Sequence, residues 1–335
     1  MIRQQAVAVC IVTHNSAADL PGCLESLAAL EHRPLEIVVV DCASGDASAE
    51  VARARAPQEI PCQVVELGEN RGFAGGMNAA IARTHAPFVL TLNADARPAP
   101  GFVTRLLERM EHAAEAGLRV GAVTGRLVRP PREGEPRLLD ACGMRLTTAW
   151  RHFDRGSGEP DRGQLSRPER VFGATGAASL FRREALDDVA VDGEIFDSRF
   201  HSFREDAELC FRLRERGWEV LYEPAAVAEH RRFNLPERRS AMPALVNYHS
   251  LKNRYLLRIY HQTAGNFFHT FFPALARDLG ALAWVLLRER SSLPAYRWLW
   301  RHRRELQARR RTIQGRRTVP AWDVDRWFTT EGEPL

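Results

Sequence analysis

The sequence predicts an α/β protein with a Rossmann-like, mostly parallel sheet flanked by helices and a C-terminal α-helical extension. Three observations point there. Short continuous apolar runs alternate with segments of helical period through the first 92 residues. Polar residues follow these runs, at His14, Asp41, Asn70 and Asp95, where a parallel sheet opens its carboxyl edge to a ligand. After residue 236 the rhythm changes to long helices rich in aromatic and basic residues.

Each element has its own signal. Residues 6–12 form a β-rich apolar run that ends in His14-Asn15-Ser16, and Leu20, Leu24, Leu27 and Leu30 then recur at helical spacing. Residues 35–40 (LEIVVV) form a second apolar run, interrupted only by Glu36, as in a strand buried on both faces. A helix at 47–54, a strand at 63–67, a helix at 75–84 and a strand at 88–92 complete the first half. Helix 101–116 and strand 120–127 follow, and the Pro-, Gly- and charge-rich stretches 130–136 and 151–168 read as loops. The small apolar stretch 171–181 leads into a helix near Arg183. Helix 204–216 and strand 220–227 then run to Glu229-His230. Beyond lie helices at 242–260 and 267–290, the second with apolar residues at 268, 271, 272, 275, 279, 282 and 286.

A chain of 335 residues buries a full core with room for an appendage. The net charge of +5 is local: Arg288 to Leu335 holds 12 Arg against 6 Asp or Glu. Such an end attracts nucleic acid, anionic lipid or acidic partners. The six cysteines show neither CxxC nor zinc-ligand spacing, which suits reduced thiols in a cytoplasmic protein. Met1 runs into a strand within six residues, so no signal peptide is expected. The longest uninterrupted apolar stretch, 279–287, is nine residues, well under the ~20 that span a bilayer.

Four segments carry candidate chemistry. Asp41, after Val38-Val39-Val40, is placed to accept hydrogen bonds from a base imide or a ribose hydroxyl; a turn or cap at Asp46 or Ser48 accounts for the same residues. Gly72, Gly75 and Gly76 let backbone approach a ligand ahead of a helix N-terminus, or serve loop geometry alone. Neither GxGxxG nor GxxxxGK[ST] occurs. Asn93-Ala94-Asp95 ends a strand with a carboxylate of the kind magnesium and manganese prefer, or makes a solvated turn before Pro98. Glu205-Asp206 opens a helix, whose dipole is expected to keep Asp206 ionised.

In this order and spacing, VTHNS, VVVDCASGD, ENRGFAGGMNAAI with LNADA, and FREDAELCFRLRERGW resemble nucleotide-sugar glycosyltransferases of family 2 with the GT-A fold, over about residues 6–235. NRGFAGGMN, GATGAASLFRREAL, EDAELCFRLRERGW and YHSLKNRYLLR are similar to the bacterial rhamnosyltransferase-like branch, which acts in cell-surface polysaccharide synthesis. The resemblance implies a catalytic domain at 1–235, with a nucleotide-binding half at 1–97 and an acceptor half at 98–235, and a helical, Arg-rich region at 236–335. It implies inverting transfer from dTDP-rhamnose or a UDP-sugar to a glycan or lipid-linked acceptor, with Asp206 as base. Donor contacts fall on Thr13, Asn15, Asp41, Asn70, Arg71, Gly72, Gly76, Asn78, Asn93, Gly176 and Glu205. Mg2+ or Mn2+ falls to Asp95 and His230. Asn93 replaces the first Asp of the family's DxD, and Glu208 stands where Asp is common.

The C-terminal helices suit peripheral contact with the inner face of the cell membrane, packing on the catalytic domain, or pairing with a second copy. Nucleic acid is not an expected partner. A nucleotidyltransferase is the enzymatic alternative, although Lys252 is the chain's one lysine and the usual lysine-bearing phosphate loop is missing. A non-catalytic nucleic-acid binder using the arginine-rich end is the other.

Overall fold

The computed structural model describes residues 5–232 and 243–335. The first half follows the expected alternation: β1 (Val7–Thr13), α1 (Leu20–Ala28), β2 (Leu35–Cys42), α2 (Ser48–Ala54), β3 (Cys62–Leu67), α3 (Gly72–Ile81) and β4 (Phe88–Asn93). β1 lies between β2 and β4, and β3 pairs with β2, all parallel. Period-two alternation divides β1 between two cores. Val7, Val9 and Ile11 pack with α1, while Ala8 and Cys10 pack with α3. Register places Thr13 beside Asp41 and Val12 beside Asn93, so three neighbouring strands deliver polar residues to one edge.

The second half contains β5 (Ala96–Pro98), α4 (Phe102–Glu115), β6 (Val120–Val128), β7 (Leu139–Ala141), β8 (Met144–Thr147), β9 (Arg151–Asp154), β10 (Glu169–Arg170), β11 (Ala178–Arg182), α5 (Arg183–Val189), α6 (Glu205–Glu215) and β12 (Glu219–His230). With β13 (Glu333–Pro334), the described residues form an eleven-stranded sheet whose path is β13-β10-β12-β6-β11-β4-β1-β2-β3. Its long ladders are parallel, and β11 runs antiparallel between β4 and β6. Residues 151–168 are not all loop. Residues 151–154 form β9 and pair with β8 around Trp150. The charged phrase Arg-His-Phe-Asp hides a strand stabilised across the hairpin, where the Arg145 and Arg151 guanidinium groups cover the Phe153 ring.

The boundary expected at 235 lies outside the described residues. After it come α7 (Ala244–His261), α8 (Ala264–Leu287), α9 (Leu293–Arg301), α10 (Arg303–Gly315) and α11 (Ala321–Asp325). Leu256, Leu257 and Tyr260 of α7 and Leu306 and Ile313 of α10 join the core that contains α6. A buried polar network ties the same helices. Glu208 pairs with Arg212 at 2.6 Å, and His261 lies between Glu208 and Glu215, which also holds Arg317 at 2.7 Å. α8 corrects the span-length expectation. It has 24 residues, and an 18-residue stretch within it reaches a mean hydropathy of 1.4, long and apolar enough by length and composition to cross a membrane. Counting uninterrupted runs missed this because Arg277-Asp278 breaks the run.

Candidate active site

At the ends of β1 and β2 the predicted nucleotide contacts lie together. Asn15, at φ 54°, accepts the Gly45 N–H at 2.7 Å and donates its own N–H to Ser44 Oγ at 2.9 Å. Asp41 is buried and accepts the Ser44 N–H at 2.9 Å. A carboxylate has about four lone-pair sites, so this turn leaves acceptor capacity for a ligand. The Thr13 hydroxyl is buried without a partner among the described residues. Asp46 caps the neighbouring turn, accepting the N–H groups of Ala17 and Ser48, and its carboxyl lies below the usual range, chiefly through Ser48.

The glycine-bearing segment starts α3 earlier than its period suggests, because Gly72 takes φ +65°. A Cβ there would stand 2.4 Å from the His201 carbonyl oxygen. Asn70 Oδ1 accepts the Gly72 N–H at 2.8 Å, and the Ala74 N–H donates to the His201 carbonyl at 2.9 Å. This loop is therefore stitched to the segment that leads into α6. Arg71 is exposed and pairs with Glu69 at 3.0 Å. Two predicted contacts are committed elsewhere. Gly76 packs α3 on the sheet, where a Cβ would meet Val12 at 2.7 Å and Cys42 Sγ at 2.9 Å. The Asn78 amide brackets the Phe196 backbone, donating to its carbonyl at 2.7 Å and accepting its N–H at 2.9 Å.

Asn93 and Asp95 meet His230, which ends β12. His230 Nε2 lies 3.2 Å from Asp95 Oδ1 and 3.3 Å from Asn93 Nδ2, and Nδ1 lies 2.7 Å from Asp140 Oδ2. Burial lowers the His230 pKa, but the bonds to Asp140 and Asp95 outweigh it and raise the value to about 9. Asp140, buried on β7, was missed by sequence reasoning. Its signal was a lone acid inside the apolar phrase Leu138-Leu139-Asp140-Ala141. These residues fit a hard divalent ion that displaces the proton from His230 Nε2. Asp140 holds one ring nitrogen and leaves the other facing Asp95, the way ligating histidines are oriented. Two donors 3.2 Å apart approach the ~3 Å between neighbouring ligands at ~2.1 Å from one ion. Among the described residues no three His, Cys, Asp or Glu side chains are arranged to hold a metal ion together, so substrate oxygens would complete the shell.

Asp206 stands in the first turn of α6. Its Oδ2 accepts the Gly176 N–H at 3.1 Å and Oδ1 accepts the Ala207 N–H at 2.8 Å. A Cβ on Gly176 would press on the Phe73 ring at 3.1 Å. Burial pushes the Asp206 pKa up to about 6; the Gly176 N–H opposes this and the Asp154 charge adds to it. Desolvation thus outweighs the helix N-terminus and raises the value, yet with a pKa of about 6 Asp206 is still mostly ionised at neutral pH. Glu205 is raised well above the usual value by burial and then by Asp206, and its Oε2 has no partner among the described residues. Asp206 is therefore the member of the pair that ionises first. Asp154, on β9, pairs with Arg232 at 2.6 Å, so the β8–β9 hairpin borders the base. Glu208 points into the core, where Arg212 and His261 overcome burial and hold its pKa near 2.

The groups follow one another along the sheet edge. Asp41 neighbours Thr13, Val12 neighbours Asn93, and the Asn93 N–H donates to the Ala177 carbonyl at 2.8 Å, next to Gly176 and its bond to Asp206. A cavity of about 460 Å3 lined by Asp192, Arg199, Trp298 and Glu305 contains none of these residues. The edge has the parts of a group-transfer site: a turn for a nucleoside, a place for a cation and a carboxylate base.

The family model described as Glycosyl transferase family 2 matches residues 8–190. An N-acetylglucosaminyl-diphospho-decaprenol L-rhamnosyltransferase of Mycobacterium tuberculosis is 28% identical over 251 residues, covering 66% of this chain and 75% of that protein. Two solved structures share the fold. Mannosyltransferase PcManGT from Pyrobaculum calidifontis, in complex with GDP-Man and Mn2+, has a TM-score of 0.53 at 18% identity, covering 97% of this chain and 88% of its own. Staphylococcus aureus TarS 1–349, in complex with UDP-GlcNAc, has a TM-score of 0.53 at 16% identity, covering 93% and 90%.

Proposed function

This chain belongs to glycosyl transferase family 2, and from that premise we propose that it transfers a sugar, with inversion, from a nucleoside-diphosphate donor to a hydroxyl of a glycan or lipid-linked acceptor. It is a glycosyltransferase. The observation that carries the mechanism is Asp206, a carboxylate fixed by two backbone N–H groups beside the acceptor half of the cleft. Asp206 takes the proton of the acceptor hydroxyl as that oxygen bonds to the anomeric carbon, and the bond from that carbon to the diphosphate breaks. Asp41, Thr13 and Asn15 receive the nucleoside, Asn70, Arg71 and Gly72 approach the diphosphate, and Asn93, Gly176 and Glu205 border the sugar. Gly76 and Asn78 hold α3 in place for them. Mg2+ or Mn2+ bound by Asp95 and His230 would neutralise charge on the departing diphosphate.

Rhamnose, carried as dTDP-rhamnose, is the proposed sugar, because the Mycobacterium tuberculosis relative is named an L-rhamnosyltransferase. A UDP-sugar is the other candidate, as bound in the TarS structure. The nucleotide half is taken as 1–97, the acceptor half as 98–235 and the helical region as 236–335. The proposed location is the cytoplasmic face of the cell membrane, a reading supported by the lipid-linked acceptor in the relative's name. A thermal-shift screen of nucleotide sugars, with and without manganese, tests the donor. A ligand at 100 times its Kd stabilises by about 2.7 kcal/mol. One donor should raise Tm clearly above the rest, and more so with manganese. A flat response across all donors would contradict the reading.

A further inference from the structure

α8 carries its polarity the wrong way round for a surface helix. On an ordinary surface helix the apolar stripe faces the core and the polar stripe faces water. Here the inward stripe is mixed: Ala274 and Val285 are buried in it beside polar groups, and those polar groups are bonded. Asn266 donates to Asp325 at 2.9 Å, and Thr270 Oγ1 accepts the Trp150 indole N–H at 3.0 Å. Arg277 donates to the carbonyls of Ala149 and Trp150 at 2.7 and 2.9 Å, and Asp278 receives both Arg254 and Arg258 from α7. The outward stripe is apolar: Phe268 is 77% exposed, Phe272 76%, Leu279 59% and Leu287 77%. Trp300 on α9 is also exposed. Contiguous exposed apolar surface of this kind marks an interaction site.

The charge beside it says what covers it. Arg288, Arg290, Arg297, Arg301, Arg303 and Arg304 are exposed at the end of α8 and along α9 and α10. Arg309, Arg316 and Arg317 instead turn inward, to Asp197, the Ala190 carbonyl and Glu215. We propose that the outer face of α8, with the exposed arginines that follow it, docks in the plane of an anionic bilayer. Crossing the bilayer would tear Asp278 from its two arginines and carry charge into hydrocarbon. A two-fold contact with a second copy would set these arginines against their own counterparts. The inner face of α8 grips the β8–β9 hairpin through Trp150, and that hairpin carries Asp154 beside Asp206. Docking therefore fixes the acceptor side of the cleft relative to the lipid surface. That last consequence rests on the proposed lipid-linked acceptor; the docking does not.

The test is flotation of the full chain with phosphatidylcholine vesicles, with and without phosphatidylglycerol, at low and high salt. Wild type should float with the anionic vesicles at low salt, lose most of that binding at high salt, and be released by an alkaline carbonate wash. A Phe268→Glu/Phe272→Glu/Leu279→Glu variant should bind at least about tenfold less, and Arg297→Glu/Arg301→Glu about tenfold less. Both change exposed side chains, and an unchanged Tm confirms their folding. Asp206→Asn should float like wild type, so loss of docking and loss of catalysis are read separately. The proposal is overturned by wild type that stays at the bottom, that resists the carbonate wash, or that forms a dimer abolished by the apolar variant without ever binding vesicles.

Discussion

Asp206 is held by two backbone N–H groups that favour its charge and by burial that opposes it, and burial prevails. A base must be ionised to accept the acceptor's proton, and with its pKa near 6 the fraction ionised falls as pH drops through that value. We expect kcat/KM to decline about tenfold per pH unit below the apparent pKa, with the midpoint near 6. An acidic limb displaced to the ordinary aspartate value near 3.9 would place the base on another group. Asp206 was legible because it opens a helix in a phrase with neighbours of known spacing. Its raised pKa was not, because burial is its main cause and is set by packing from distant segments, and the lesser push comes from Asp154 on a hairpin 52 positions earlier in the chain. Asp140 was illegible for a similar reason: nothing local reveals that a lone acid meets His230 across the sheet, 90 positions away.

At the scale of elements, α6 has two uses. Its first turn presents Asp206 to the cleft, and two residues on Glu208 faces the core and joins Arg212 and His261. Removing one member of such a buried set leaves the others uncompensated, which costs ~3–5 kcal/mol. Glu208→Gln should therefore lower stability by roughly 3 kcal/mol in denaturant unfolding, and a loss under about 1 kcal/mol would refute the network's role. The pH dependence has two sides. The Glu208 pKa is depressed to about 2, so its contribution is present above the ordinary value of 4.5 and is lost as pH falls towards 2. The His261 pKa is raised, so its contribution is complete below 6.5 and is lost as pH rises through its higher folded value. Wild-type stability should be greatest between these limits, and the variant should show a flatter profile. Helices and strands of the first half were legible because the apolar runs are short and bounded by polar turns. The β8–β9 hairpin was not, because four residues with three charged or titratable side chains show no alternation.

The whole molecule is one sheet edge with a helical region fastened behind it. The proposed donor contacts gather where β1, β2 and β4 end together, and the proposed base arrives from α6 through Gly176. The helical region was legible as helices but not in its arrangement. The tail's arginines looked alike in sequence, yet Arg309 and Arg317 enter buried ion pairs while Arg301 and Arg304 remain exposed. Gly76 and Asn78 looked like ligand contacts because they lie in the glycine-bearing phrase, and only the packing of α3 on Val12 and Cys42 shows their work. The central claim is that donor binding and proton removal are separate tasks of this edge. Its most direct test is Asp206→Asn, with donor Kd and turnover measured on the same preparation. The account predicts a donor Kd within about threefold of wild type and turnover reduced by ~10²-fold or more. Turnover close to wild type would contradict it.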